Sequence, residues 1–155
     1  MNIEKRYIHS GQLFVAVKET HIMTVLGSCV AVCLYDPINE IGGMNHYLLP
    51  LWNNKGLASP KYGNISIEKL IDTMETIGCE RKNIIAKIFG GASPNNFKSN
   101  TKLVGEKNIE IAYQILNNYG IKVVAKDLGG IQGRKIAMNT KTGKIQMVYT
   151  KGIEE

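Results

Sequence analysis

Positions 24–29 read TVLGSC, and the apolar run VAVCLYD follows, so Cys29 stands directly behind a Gly-Ser step at the mouth of a strand-like segment. Cysteine hydrolysis needs a thiolate, a base to form it, a group to orient that base and donors for an oxyanion. The chain has three histidines, His9, His21 and His46, so the choice of base is short. His46 lies in IGGMNHYLL, which the turn sequence DPINE separates from VAVCLYD. If the two segments are antiparallel neighbours, counting outward from a turn at 37–39 brings Cys29 within a residue or two of His46. The tight Gly27-Ser28 step leaves backbone N–H groups free at its tip, that of Cys29 among them, to receive an oxyanion. Thr24, through its hydroxyl or its carbonyl, is placed to hold the far nitrogen of His46 and set its tautomer, while a shift of one residue would put Met23 there instead. His9 and His21 fall outside the hairpin and read as structural or surface residues.

These readings compete with plainer ones. A free cysteine in an apolar strand is more often a small buried hydrophobe than a nucleophile. Cys33, deeper in the same run, is read as core, and Cys79, just after a helix stop, as incidental. The GGAS stretch lacks the Lys-Ser/Thr ending of a Walker loop and the spacing of a dinucleotide fingerprint. Gly90 and Gly91 therefore read as residues that let a strand end pass close to the site. Cys29 and Cys33 have no spaced His or Cys partners, so no metal site is expected.

Around these residues the sequence predicts strands, a helix, a strand, a helix and strands. RYIHS and QLFVAV flank a bend at Gly11, and VAVCLYD is apolar on both faces, as a fully buried strand would be. PLWNNKGLASPKYG reads as an ordered loop of a length that is usually functional. Ile67, Leu70, Ile71, Met74 and Ile77 recur at helical spacing, with Asn64 or Ser66 as N-cap and Gly78 as stop. KNIIAKIF is a strand, PNNFKSNTKL is irregular, and a second helix carries Ile109, Ala112, Tyr113, Leu116 and Tyr119 on one face before Gly120. IKVVAKD is a strand, and GRKIAMN and KIQMVYT close as a hairpin with Gly143 at the turn. The order predicts an α+β fold, a layered α/β sandwich with mixed, mostly antiparallel sheets and two main helices.

The chain's 155 residues suit one domain, and no apolar run approaches a membrane span or the core of a signal peptide. Three cysteines without a CxxC pair argue for free thiols in a reducing compartment, so the expected location is cytoplasmic. The net charge of +6 is spread along the chain with few aromatic neighbours, which argues against nucleic acid and suits an acidic protein partner.

TVLGSCVAVCLYDP followed by GGMNHYLLP closely resembles the signature of the chemoreceptor glutamine deamidase family, CheD. KYGNISIEKLI, AKIFGGAS, GEKN and DLGGIQGRKIAMNTKTGKI resemble later segments of the family, from about residue 8 to residue 150. The resemblance implies a single deamidase domain over 1–155 that converts Gln side chains of methyl-accepting chemotaxis proteins to Glu. It implies an α/β sandwich similar to that of deamidating cytotoxic factors, a Cys29 nucleophile, a His46 base, Thr24 as third member, a thioester intermediate, and neither metal nor organic cofactor. It also implies a partner in some members, the CheC-type chemotaxis phosphatase, and a regulatory role there is the alternative function. Three departures fall outside Cys29 and His46: Pro94 follows Ser93 where the family usually has an apolar residue, NNFKSN is unusually polar, and Lys107 replaces an Arg common before the helix Asn, here Asn108. Loops around a site tune partners, so these changes bear on which surface the chain accepts.

Overall fold

The computed structural model describes residues 2–94 and 103–152. The polar stretch NNFKSN, and most of the irregular segment around it, lies outside the described residues. The elements are β1 (Glu4–Tyr7), β2 (Leu13–Ala16), β3 (Thr20–Leu26), β4 (Val30–Asp36), β5 (Ile41–Asn45), α1 (Gly63–Ile77), β6 (Ile85–Gly90), α2 (Val104–Asn118), β7 (Lys122–Leu128), β8 (Gln132–Asn139) and β9 (Ile145–Gly152). They build a four-stranded sheet in the order β1-β3-β8-β9 and a five-stranded sheet in the order β2-β5-β4-β6-β7. β1–β3 and β6–β7 are parallel and the other pairings antiparallel, which is the expected α+β sandwich with two helices.

β4 is buried at all seven positions because it has a layer on each side. Its Val30, Val32 and Leu34 pack with Ile67, Leu70, Ile71 and Met74 of α1 and with Ile111, Ala112 and Leu116 of α2. Ala31, Cys33 and Tyr35 face the other way, onto Ile22, Leu26, Ile136 and Met138 of the four-stranded sheet. The side-chain period of two thus splits one strand between two cores. Each fully buried Ile, Leu or Met contributes about 2 kcal/mol.

The paired glycines of β5 are what bring the layers this close. A Cβ on Gly42 would lie 2.8 Å from the Met138 methyl of the facing sheet, and one on Gly43 3.1 Å from a Leu70 methyl of α1.

Three local expectations differ from the structure. ETHIMTVL carries no strand in the sequence reading, yet Thr20–Leu26 is β3, with Thr20, Ile22, Thr24 and Leu26 buried in alternation. The two strands expected on either side of Gly11 are β1 and β2, and the bend between them carries the chain from one sheet to the other. The first helix starts at Gly63 behind Tyr62, with no side-chain cap. Asn64 instead accepts a hydrogen bond from the Trp52 N–H and ties down the preceding loop, while the buried Ser66 hydroxyl has no partner among the described residues. The buried face of α2 is Gly105, Asn108, Ile111, Ala112, Ile115 and Leu116, rotated from the predicted one, and Tyr113 is exposed.

Candidate active site

The β4–β5 hairpin closes at Asp36–Ile41 and zips outward through Cys33–Met44 to a last bridge, Val30–Tyr47, whose N–H groups exchange bonds of 3.2 and 3.0 Å. Beyond it the two strands part. Leu48 and Leu49 both donate to the Lys61 carbonyl, and the Leu49 carbonyl accepts from Gly63 at the start of α1. Cys29 is the first residue of the resulting fork and stands across from Leu48. The turn spans residues 37–40, with Glu40 at φ 54°, which moves the expected register by one. A cavity of about 510 Å³ opens in the fork, lined by Ser28, Cys29, Leu48, Leu49, Ser93 and Val104 among others.

His46 lies two residues before Leu48, diagonal to Cys29. In a regular ladder that relation sets Cβ atoms about 7 Å apart, within reach of a thiol and an imidazole. The His46 backbone is pinned at both ends, its N–H donating to the Gln12 carbonyl at 3.0 Å and its carbonyl accepting from Gly11 at 2.7 Å. The positive φ of Gly11, 83°, turns the chain back to make these bonds.

Alternation along β3 points Thr24 inward and Met23 away, so the hydroxyl meets the imidazole. Thr24 Oγ1 is 2.7 Å from His46 Nδ1 and 2.8 Å from the Ile8 carbonyl oxygen. A hydroxyl has a single proton, and a carbonyl can only accept. Both short contacts are satisfied when Thr24 donates to Ile8 and His46 Nδ1–H donates to Thr24. The hydrogen-bond network therefore assigns the tautomer: Nδ1 carries the proton and Nε2 is an unprotonated acceptor.

Burial, and secondarily the charge of His9, holds the His46 imidazole down to about 4. Burial raises the Cys29 thiol, only partly offset by its own backbone N–H. Both shifts favour the neutral form, thiol at Cys29 and imidazole at His46. Cys33 is pushed up to about 12 by burial, with Lys87 opposing, and it is sealed in the core. Cys79 is buried as well, whereas Cys29 is half-buried and lines the cavity.

The glycines do spatial work around Cys29. Gly90, at φ 110°, would carry a Cβ only 2.2 Å from the Cys29 carbonyl oxygen, and Gly91, at φ 73°, would drive one into Ile109. Without those side chains Gly91 N–H donates to the Cys29 carbonyl at 2.9 Å, and Ala92 N–H to that of Gly27 at 3.1 Å. The N–H groups of Ser28 and Cys29 donate to no other residue among the described ones. His9 is exposed beside Tyr7, and His21 faces outward against Asn139. Among the described residues no cluster of three or more His, Cys, Asp or Glu is placed to hold a metal ion.

Asn108 is the site residue the sequence reading passed over. It is fully buried, and its Nδ2 donates to the Ser28 carbonyl at 3.0 Å and the Leu48 carbonyl at 2.9 Å, one on each arm of the fork. The available signal was a lone polar residue spaced with Ile111, Ala112 and Ile115 on an apolar helix stripe.

Thr24 and His46 are in hydrogen-bond contact and Cys29 stands diagonal to His46 across the fork, and these residue types suit acyl transfer on sulfur. A family model described as CheD chemotactic sensory transduction matches residues 48–149. A probable chemoreceptor glutamine deamidase CheD of Sulfurimonas denitrificans is 63% identical over 155 residues, covering 99% of each chain. One of the same description from Trichlorobacter lovleyi is 50% identical over 143 residues, covering 92% of this chain and 89% of its own. A solved Bacillus licheniformis hypothetical protein, YfiH, overlaps with TM-score 0.47 and 17% identity over 70% of this chain and 49% of its own. The chain belongs to the CheD family.

Proposed function

We propose that this chain hydrolyses the side-chain amide of glutamines on chemoreceptors, giving glutamate and ammonia, with Cys29 as nucleophile, His46 as base and Thr24 as its orienting partner. The observation that carries this reading is the short Thr24–His46 contact with Thr24 also bound to Ile8, which leaves Nε2 free to accept a proton. The names of the close relatives, probable chemoreceptor glutamine deamidases, support the substrate class.

The chemistry runs in two halves. Cys29 Sγ attacks the carboxamide carbon while His46 Nε2 takes the thiol proton, so charge develops only as the bond forms. The N–H groups of Ser28 and Cys29, which donate to no other described residue, receive the oxyanion, and His46 returns its proton to the departing ammonia, leaving a thioester. Water then attacks the thioester carbonyl, losing a proton to His46, and Cys29 leaves as the thiol with a glutamate side chain released. An imidazole held down to about 4 is unprotonated, and so open as a proton acceptor, across the neutral range. A basic chain of net charge +6 is attracted to acidic receptor helices, which speeds encounter. No helix among the described residues is long and apolar enough to cross a membrane. We place the enzyme in the cytoplasm, where the receptor's signalling helices are.

Incubation with a receptor cytoplasmic fragment and mass spectrometry tests the reading: wild type converts Gln to Glu and Cys29→Ala does not. Equal conversion by both, or by neither on a cognate receptor, overturns it. Binding of a CheC-type phosphatase is the competing role. Phosphatase stimulation that survives Cys29→Ala, with no deamidation by wild type, would establish that role instead.

A further inference from the structure

We infer that Asn108 is a positioning residue that sets the width of the β4–β5 fork, and so the approach of Cys29 to His46; this rests on the Cys-His reading above. In a continued ladder the pair beyond Val30–Tyr47 would bond directly, strand to strand. Here Leu49 N–H has gone to Lys61 and the Leu49 carbonyl to Gly63, so the Ser28 carbonyl has lost the donor it would have had. The Asn108 amide supplies that donor from α2. Its two N–H groups reach one arm each, at 3.0 Å to Ser28 and 2.9 Å to Leu48. A planar NH2 group holds its acceptors at a fixed spacing, so the two arms stay parted by a constant distance with Cys29 between them.

The clamp is anchored and has a cost. Tyr47, in the last bridge of the ladder, donates its hydroxyl to the Asn108 backbone carbonyl at 2.6 Å, tying this turn of α2 to the base of the fork. Gly105, one turn earlier, has no room for a Cβ, which would lie 2.5 Å from the Ala92 carbonyl oxygen, so α2 is pressed against the Gly91-Ala92 backbone that holds Cys29. Asn108 Oδ1 is buried without a partner among the described residues. An unmet buried acceptor is unfavourable, and an apolar residue here would avoid it. What an apolar residue cannot do is bond both carbonyls at once.

The coupling between Cys29 and His46 can be read without any receptor, from the alkylation rate of Cys29 by iodoacetamide near neutral pH. In wild type, His46→Ala should slow alkylation about tenfold, because the base that takes the thiol proton is gone. In an Asn108→Ala background the same change should slow it less than twofold, since the pair is already out of register. Ile115→Ala, a cavity on the same buried face of α2, controls for loss of stability and should leave the tenfold effect intact at a temperature where all variants are folded. Tyr47→Phe keeps the ring but releases the anchor, so it serves if Asn108→Ala does not fold; the His46 effect should shrink to about threefold. A full tenfold effect retained in Asn108→Ala or Tyr47→Phe, or equal loss in Ile115→Ala, overturns the positioning role. No His46 effect in wild type overturns the Cys29–His46 pairing itself, a distinct failure.

Discussion

The β4–β5 hairpin is held at its two ends by different means. At the closed end Asp36 accepts hydrogen bonds from the Ile38 and Asn39 backbones and from the Asn39 side chain, all within three residues. At the open end the ladder stops, and the side chains that hold the arms come from 80 and 60 residues away in Asn108, and from 22 residues away in Thr24. The closed end leaves nothing unmet in the carboxylate. The open end keeps an amide oxygen without a partner among the described residues, a half-buried thiol and a cavity. The chain thus runs from an open fork at Cys29 to a closed turn at Asp36, with Cys33 buried between them.

Those cysteines give the largest expected contrast. Cys29→Ala should lower deamidation of a receptor fragment by at least about a thousandfold with little change in stability, because a half-buried side chain is removed beside a cavity. Cys33→Ala should do the reverse, keeping the rate within about twofold while costing about 1 kcal/mol in a denaturant titration, as loss of a small core group does. If the two variants exchanged behaviours, the assignment of chemistry to the fork would be broken.

Next in size are the groups around the imidazole. His46→Ala should cost about a hundredfold or more in kcat, the ordinary worth of a general base. Thr24→Val is nearly isosteric but leaves the Nδ1 proton and the Ile8 carbonyl without their partner. It should cost about tenfold in kcat with KM little changed, and Thr24→Ser should recover most of it. A Thr24→Val enzyme with wild-type kcat would show that the tautomer is set by something else.

The glycine that seats Cys29 comes third. Gly90→Ala meets both a steric bar, the Cys29 carbonyl at 2.2 Å, and a strained φ of 110°. Gly78→Ala at the end of α1 meets only the strained φ of 121°, with nothing within 4 Å of its Cβ. Both should lose about 1–3 kcal/mol for the backbone strain. Only Gly90→Ala should also lose activity at a temperature where it is folded, as measured by initial rates of deamidation.

The same division explains which parts of the molecule could be read from its sequence. The hairpin, with Asp36, Pro37 and Asn39 clustered at its turn and apolar runs on both sides, is a local pattern, and so are the stop at Gly78 and the closing turn at Gly143. Cys29 and His46 were legible because they sit on that one hairpin. β3 was obscured because two of its four inward residues are Thr20 and Thr24, which blur the apolar alternation. Asn108 was hidden by placing the buried face of α2 one residue out of phase, which leaves the asparagine at the margin of the predicted stripe instead of within it. Its partners are set by how α2 docks on the fork, a tertiary fact that no spacing along the helix encodes.

Acid should separate the two ends more gently, and in different windows. His46 takes up its proton at about 4 in the folded protein against an ordinary 6.5, so between those values the unfolded chain binds more protons than the folded one. Stability from the open end is therefore complete above 6.5, falls as pH drops towards 4, and does not fall further below that. Burial raises the Asp36 carboxyl, but the hydrogen bonds from Asn39 and Ile38 outweigh it and the net shift is downward from 3.8. Its contribution is present above 3.8 and is lost only as pH falls through the lower folded value. Hydrogen-exchange protection of the Val30 and Tyr47 amides should thus weaken between pH 6.5 and 4, while that of Ile38 and Asn39 holds until below 3.8. His46→Ala should abolish the first decline and leave the second. Protection lost first at the turn would mean that the closed end, not the fork, is the acid-sensitive part of the hairpin.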